Sequence, residues 1–330
     1  MNAAEAIGAH FRTVDSRGVK LRVAEMGSGP LVILVHGWPE SWYSWRGQIP
    51  LLAKAGYRVV APDLRGFGHS DKPPAVDDYN ILHLTDDLVA ITDAMGEKQA
   101  VLVGHDWGAG IAWNAILLHP ERFRALAAMS VPYRPRPVQP PIQTLKEIYG
   151  DNFYYVLYFQ EPGIAEKEFE ADPAKTLRRI YVLYGGRGTP VDSPAVSDSR
   201  MSAGGWLPRI GEPTVLPSWL QKADLDYYAS EFTYAGFRGG LNNYRNYDRN
   251  WELTAHLAGR TISAPVMFIA GQDDPVIRGQ TAEILTAMLK VTVKDLRGVT
   301  VLPNAGHWIQ QERPAAVNTE LIKFLGELQQ

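Results

Sequence analysis

The sequence predicts an α/β fold, with a mostly parallel central sheet flanked by helices and interrupted by an inserted, mainly helical cap domain. Three observations carry this expectation. Over the first 130 residues short apolar runs alternate with longer stretches of helical periodicity, the pattern of strands and the helices that cover them. At 131–141 five prolines fall within eleven residues, which stops regular structure and marks the chain leaving the sheet. Alternation of strand and helix resumes only at 264–270. A core domain is therefore expected at 1–133 and 255–330, and the cap domain at 134–254.

The first strands are expected at 19–24, 31–35, 57–61, 100–103 and 125–130, several of them continuous apolar runs of the kind buried on both faces. Helices are expected between them at 42–55, 81–95 and 107–119. The chain from there to about residue 249 is rich in tyrosine and helix-like pieces, with a Gly/Pro/Ser-rich break at 185–217. After it come a strand at 264–270, a helix at 281–290, a strand at 299–302 and a helix at 315–327. An insertion at that point covers the carboxyl ends of the strands, where open α/β sheets place their sites.

Composition removes several function classes. A net charge of −3 with both signs interspersed provides no basic field for nucleic acid. With no cysteine there is no disulfide, no thiolate metal site and no cysteine nucleophile. The opening MNAAEAIGAHFRTVDSRG lacks the basic-then-apolar order of a leader, and no apolar run reaches membrane-spanning length. The protein reads as soluble and cytoplasmic, without nucleic-acid or membrane partners, and the sequence leaves monomer and homodimer open.

The chemistry begins at Gly104-His-Asp-Trp-Gly108, between an apolar strand run and a helical stretch. Strand, tight glycine turn and helix is the setting of a nucleophile elbow, G-x-S-x-G, yet its central residue here is Asp106. Gly104, Gly108 and Gly110 provide the small neighbours such a turn needs. Alone, a glycine-flanked aspartate is more often a helix cap. Here an acid and a histidine follow in order: Gly271-Gln-Asp-Asp274 at a strand end, then His307 in Asn-Ala-Gly-His-Trp, 33 residues further on. Nucleophile, acid, base is the order of the α/β hydrolases. Asp274 is preferred over Asp273 because it keeps the G-x-x-D spacing, leaving Asp273 as a solvated turn residue. Of the competing histidines, His119 follows a helix and precedes Pro120, and His256 lies near the close of the insertion; both read as structural or exposed.

An aspartate nucleophile suits displacement at a saturated carbon, where it forms an alkyl ester on the enzyme. Water deprotonated by His307, with Asp274 holding the ring, then attacks that ester. The oxyanion formed needs two backbone N–H donors, for which Trp107 and Trp38, in His36-Gly-Trp-Pro-Glu40, are the candidates. A saturated carbon reacts only if its leaving group is helped, either as a halide held by N–H groups or as an epoxide oxygen protonated on ring opening. An alkoxide has a conjugate acid comparable to water, roughly pKa 15.7, against about 10 for tyrosine, so a tyrosine can protonate it. Among 15 tyrosines, any one taken singly is most readily packing.

The motifs as a set resemble those of the α/β-hydrolase-fold epoxide hydrolases, over nearly the whole chain. They are HGWPESWYSWR at 36–46, DLRGFGHSDKP at 63–73, GHDWG at 104–108 and AGHWIQQERP at 305–314, with two cap motifs: Tyr158-Phe-Gln-Glu-Pro-Gly-Ile-Ala-Glu and Phe237-Arg-Gly-Gly-Leu-Asn-Asn-Tyr244-Arg-Asn-Tyr-Asp-Arg-Asn-Trp. The resemblance implies conversion of a small lipophilic epoxide and water to a vicinal diol, with no cofactor and no metal. It implies that Tyr158 and Tyr244 bind and protonate the epoxide oxygen, that Trp38-Pro39 is cis and that Trp38 gives the oxyanion N–H. It also implies that Glu40 helps place the hydrolytic water, although a surface carboxylate capping the next helix reads equally well. Trp107, Trp38 and Trp308 would line an apolar pocket. Asn243 and the 185–217 segment have no counterpart in the pattern.

HGxP and GHDWG are shared with haloalkane dehalogenases, so the cap motifs separate the two readings. Against a dehalogenase, Trp38 stands where many of those enzymes place an asparagine, and the tyrosines would be idle. Fluoroacetate dehalogenases resemble the chain too, but carry arginine where Trp107 stands. A protein that binds a ligand without turning it over is the alternative from another class, and it predicts a damaged catalytic set, which is not found. A serine esterase would need Ser41 or Ser130, neither of which sits on an elbow.

Overall fold

The computed structural model describes residues 3–329. Their strands are β1 (His10–Ser16), β2 (Val19–Met26), β3 (Leu31–Val35), β4 (Arg58–Pro62), β5 (Ala100–His105), β6 (Phe123–Met129), β7 (Ile262–Gly271) and β8 (Val293–Leu302). They form one sheet in the order β1-β2-β4-β3-β5-β6-β7-β8. β1 with β2 and β2 with β4 are antiparallel, and every other pairing is parallel.

The central strands are apolar along their whole length because helices cover both faces. Alternate side chains divide between two cores: Leu31, Ile33 and Val35 of β3 join the cluster that continues into the inserted helices, whereas Val32 and Leu34 join the cluster on the opposite face. The helix Trp107–Leu118 buries residues on nearly every side, as a helix enclosed between sheet and insertion must.

Three expectations are corrected. β1 carries the polar sequence HFRTVDS at the sheet edge and buries only two of its side chains, so it leaves no apolar signal. β8 starts at Val293 rather than 299, because its first half, KDLRG, is also largely solvent-facing. The helix expected at 42–55 is two pieces, a 3-10 turn Trp42–Trp45 and a helix Ile49–Lys54. Pro50 lacks an N–H and so sits in the first turn of the second piece.

Between β6 and β7 the chain forms the helices Pro141–Tyr149, Tyr155–Tyr158, Ile164–Phe169, Pro173–Tyr184, Lys222–Ala235, Arg238–Arg245 and Tyr247–Leu253. The 185–217 stretch is irregular apart from the 3-10 turns Met201–Ala203 and Leu207–Arg209. The turns after β3, β5, β7 and β8 all open at the carboxyl end of the sheet, beneath these helices, and they carry Trp38, Asp106, Asp274 and His307.

Candidate active site

Asp106 occupies the turn between β5 and the helix Trp107–Leu118 with φ 53° and ψ −120°. A side chain held in that region costs of order 1–3 kcal/mol and persists only where the surroundings enforce it. The enforcement is close packing. A Cβ on Gly108 would lie 2.0 Å from the Val35 carbonyl oxygen, and one on Gly37 would lie 2.4 Å from the Asp106 side chain. Gly110, by contrast, faces open space, so it is not one of the glycines the elbow needs.

The strained turn points the carboxylate at two groups. The Trp38 N–H donates to Asp106 Oδ1 at 2.8 Å, and the Trp38-Pro39 bond is cis. His307 Nε2 lies 3.4 Å from Oδ2. The other ring nitrogen, Nδ1, lies 3.0 Å from Asp274 Oδ2, and Asp274 Oδ1 accepts the Val276 N–H at 2.9 Å. Asp273 turns the other way, to the backbone and guanidinium of Arg187. Burial alone would lower the His307 pKa, but the Asp274 and Asp106 carboxylates outweigh it and raise it well above the ordinary value.

Glu40 is fully buried rather than a surface cap. It accepts the Gly37 N–H at 2.9 Å and the side-chain amides of Gln310 and Gln311 at 2.9 and 3.3 Å, and faces His105 Nδ1 at 2.7 Å. Burial would raise its pKa; His105, His36 and the Gly37 N–H prevail and hold it at about 2. His105 Nε2 faces the His307 carbonyl oxygen at 2.7 Å, which also accepts the Ser130 hydroxyl at 2.8 Å, while the His307 N–H donates to the Tyr184 carbonyl at 2.8 Å. Charge and hydrogen bonds thus fix the backbone of His307 as well as its ring.

Above Asp106 and His307 is a cavity of about 30 Å³ walled by Trp38, Tyr155, Ile180, Tyr184, Trp206, Tyr244, Val276 and Trp308. The rings of Tyr155 and Tyr244 stand 6.0 Å apart at 81°. Burial raises both phenols well above their ordinary pKa, with Tyr244 adding to the rise at Tyr155 and Asp106 to that at Tyr244. Both hydroxyls therefore keep their protons.

Tyr158, expected in this cavity, is not among its walls. Its hydroxyl donates to Glu168 at 2.9 Å, and that carboxylate holds it aside. Tyr155, three residues earlier on the same short helix, takes the place instead. Trp107 lines a different cavity from Trp38 and Trp308. Its indole packs edge-on to Tyr244 at 5.1 Å, stacks on Tyr247 at 5.2 Å and borders a neighbouring, largely apolar cavity of about 300 Å³. Its backbone N–H belongs to the first helical turn, where no intrahelical acceptor exists. His119 lies 3.7 Å from Asp86 and His256 is exposed in the turn Ala255–Leu257, both outside the cavity.

The residues overlooked in the sequence are Tyr155, Tyr184, Trp206 and His105. Tyr155 precedes the first cap motif by one helical turn, and nothing in the motif favours it over Tyr158. His105 stands inside GHDWG itself and so had a signal in reach. Trp206 had none, because it comes from the irregular segment.

A carboxylate on an elbow, a backbone N–H facing it and a histidine–aspartate pair at successive strand ends define an α/β hydrolase. The model of the alpha/beta hydrolase fold family matches residues 30–314, and the chain belongs to that family. Within it the chain is a member of the epoxide hydrolases. It is 50% identical to epoxide hydrolase A of Mycobacterium tuberculosis, over 96% of this chain and 98% of that one. It is 40% identical to epoxide hydrolase 3 of Siraitia grosvenorii over the same shares. Among solved structures, epoxide hydrolase A from Mycobacterium thermoresistibile matches with a TM-score of 0.86 at 47% identity, over 96% of this chain and 98% of that one. An epoxide hydrolase from an endophytic Streptomyces matches with a TM-score of 0.89 at 42% identity, over 98% and 96%.

Proposed function

We propose that the protein hydrolyses lipophilic epoxides to vicinal diols through an ester on Asp106, with Tyr155 and Tyr244, under a helical cap, as the acids. One observation carries the reading: a buried and a partly buried phenol, both protonated, share a cavity with a carboxylate that a strained turn holds in place. Asp106 Oδ1 already accepts the Trp38 N–H, which leaves Oδ2 as the attacking atom. Oδ2 bonds to an epoxide carbon, the ring C–O bond breaks, and the departing oxygen takes a proton from a tyrosine.

In the second step water attacks the ester carbon of Asp106 while His307 Nε2 takes its proton. The negative charge builds on Oδ1, which the Trp38 N–H already meets, and we assign the Trp107 N–H as the second donor. Collapse releases the diol and restores the carboxylate. His307 is charged at rest, and once Asp106 is esterified it passes its proton through water to the tyrosine. The proton it then takes from the attacking water restores its resting state, so both groups are reset. Asp274 orients the imidazole, and the Glu40–His105 pair holds the backbone that carries it.

The test offers styrene oxide in one tube and a 1-bromoalkane in another. Diol from the first without bromide from the second is the expected result. Bromide release without diol would overturn the reading.

A further inference from the structure

Trp206 comes from the segment with no sequence counterpart, yet it stands between two groups of the reaction. Its indole is stacked on Tyr155 at 5.2 Å and 15°, and on Trp38 at 6.1 Å and 18°. Edges of Phe159, Phe169 and Tyr184 close around it. With this ring in place the cavity over Asp106 is about 30 Å³, room for some two waters when each needs roughly 10–15 Å³.

The ring is held by a clasp. Glu168 accepts the backbone N–H groups of Trp206 and Leu207 at 3.0 and 3.1 Å, and the Tyr158 hydroxyl at 2.9 Å. A Cβ on Gly205 would fall 2.2 Å from Glu168, so a larger residue there would push the carboxylate away from the N–H groups it holds. Arg209 ties the loop to itself through the carbonyls of Arg200, Gly204 and Gly205, and lies over the Phe153 ring at 4.4 Å. Two further bonds, Phe153 N–H to Ser199 and Met201 N–H to Asp151, join this loop to the piece of chain that leads into Tyr155.

We propose that Trp206 determines which epoxides the site accepts, and that Glu168, shared with Tyr158, is the positioning residue that holds it there. The inference rests on the epoxide reading. The indole admits epoxides with small substituents and obstructs those carrying a bulky group on each ring carbon, and it also keeps the Tyr155 ring in its plane. Tyr158 thereby has a role outside the proton transfer.

The experiment measures kcat/KM for propylene oxide and for trans-stilbene oxide in the wild type, Trp206→Ala, Trp206→Phe, Glu168→Ala and Glu168→Gln, with the melting transition of each. Trp206→Ala is expected to raise the stilbene-to-propylene ratio by about tenfold or more, the scale on which pocket size discriminates substrates. Glu168→Ala should move the ratio the same way, and Glu168→Gln, which keeps one acceptor oxygen, should move it less. If Trp206→Ala does not fold, Trp206→Phe decides by the same ratio, with a rise of about threefold expected. An active wild type with a ratio unchanged in the folded Trp206 variants overturns this proposal alone. A wild type inert to both epoxides overturns the epoxide reading, and this inference with it.

Discussion

Replacing Tyr155 with phenylalanine removes one of two donors aimed at the oxygen that leaves the epoxide carbon. The ring stays, stacked on Trp206 and edge-on to Tyr244, so packing is conserved and the change is confined to one hydroxyl. In a closed cavity, removal of one such donor costs about 2.7–4 kcal/mol of transition-state stabilisation, or about 10²–10³ in rate. Tyr158→Phe should behave differently. It deletes a half-buried bond to a carboxylate, worth about 1.5–3 kcal/mol at most, and this loss falls on folding and loop position rather than on ring opening. The assay is single-turnover kinetics with styrene oxide, in which the alkylation phase is resolved from hydrolysis. Tyr155→Phe should slow the first phase by about 10²-fold or more, whereas Tyr158→Phe should lower the melting temperature and leave that phase largely intact. Slow alkylation in Tyr158→Phe beside normal alkylation in Tyr155→Phe would refute the assignment of the cavity acids.

His307→Gln should allow alkylation and stall hydrolysis, leaving a styrene-oxide adduct on the peptide containing Asp106 that mass spectrometry detects; steady diol production without an adduct would count against the ester. Asp274→Asn removes the larger of the carboxylate influences that raise the His307 pKa, so the acid limb of ester hydrolysis should move to lower pH in single-turnover profiles, and a move to higher pH would contradict the assignment. Glu231 is pushed up to about 7 by burial and by Asp63, with Arg22 opposing. A carboxyl raised in this way from an unfolded value of about 4.3 contributes stability that declines as pH rises through that window. Glu231→Gln should therefore flatten the loss of melting temperature between about pH 5 and pH 8, and an unchanged slope would remove Glu231 as its source.

The parts of the fold that could be read from the sequence are those where one physical demand dominates. β3 and β5 are enclosed on both faces and read as apolar runs, whereas β1 and the start of β8 are paired at the edges with polar side chains and read as loop. The turn that carries Asp106 and the place of His307 after the last strand were legible because a tight turn needs glycine and because strand order fixes which loops meet at the carboxyl end of the sheet. Which tyrosine faces the cavity was not legible. Tyr155 and Tyr158 lie on one short helix, and the choice is made by Glu168, ten residues beyond Tyr158, whose carboxylate takes the second hydroxyl. Glu40 likewise reads as a surface acid until the Gln310, Gln311 and His105 side chains, all distant in sequence, are brought round it.

The proposed reaction asks opposite things of one small cavity, and the charges in it change to suit. Ring opening needs phenols that still hold protons, and burial beside Asp106 raises Tyr244 so that it does. Hydrolysis needs an imidazole that has lost its proton, yet in the resting site two carboxylates raise His307. Alkylation resolves the conflict, because esterified Asp106 no longer carries a charge. One of the two influences holding the proton on His307 then vanishes, and its pKa falls at the step where it must act as base. A serine on the same elbow would leave no such charge to remove. The aspartate thus serves as nucleophile first and, once consumed, as the change in field that prepares its own release.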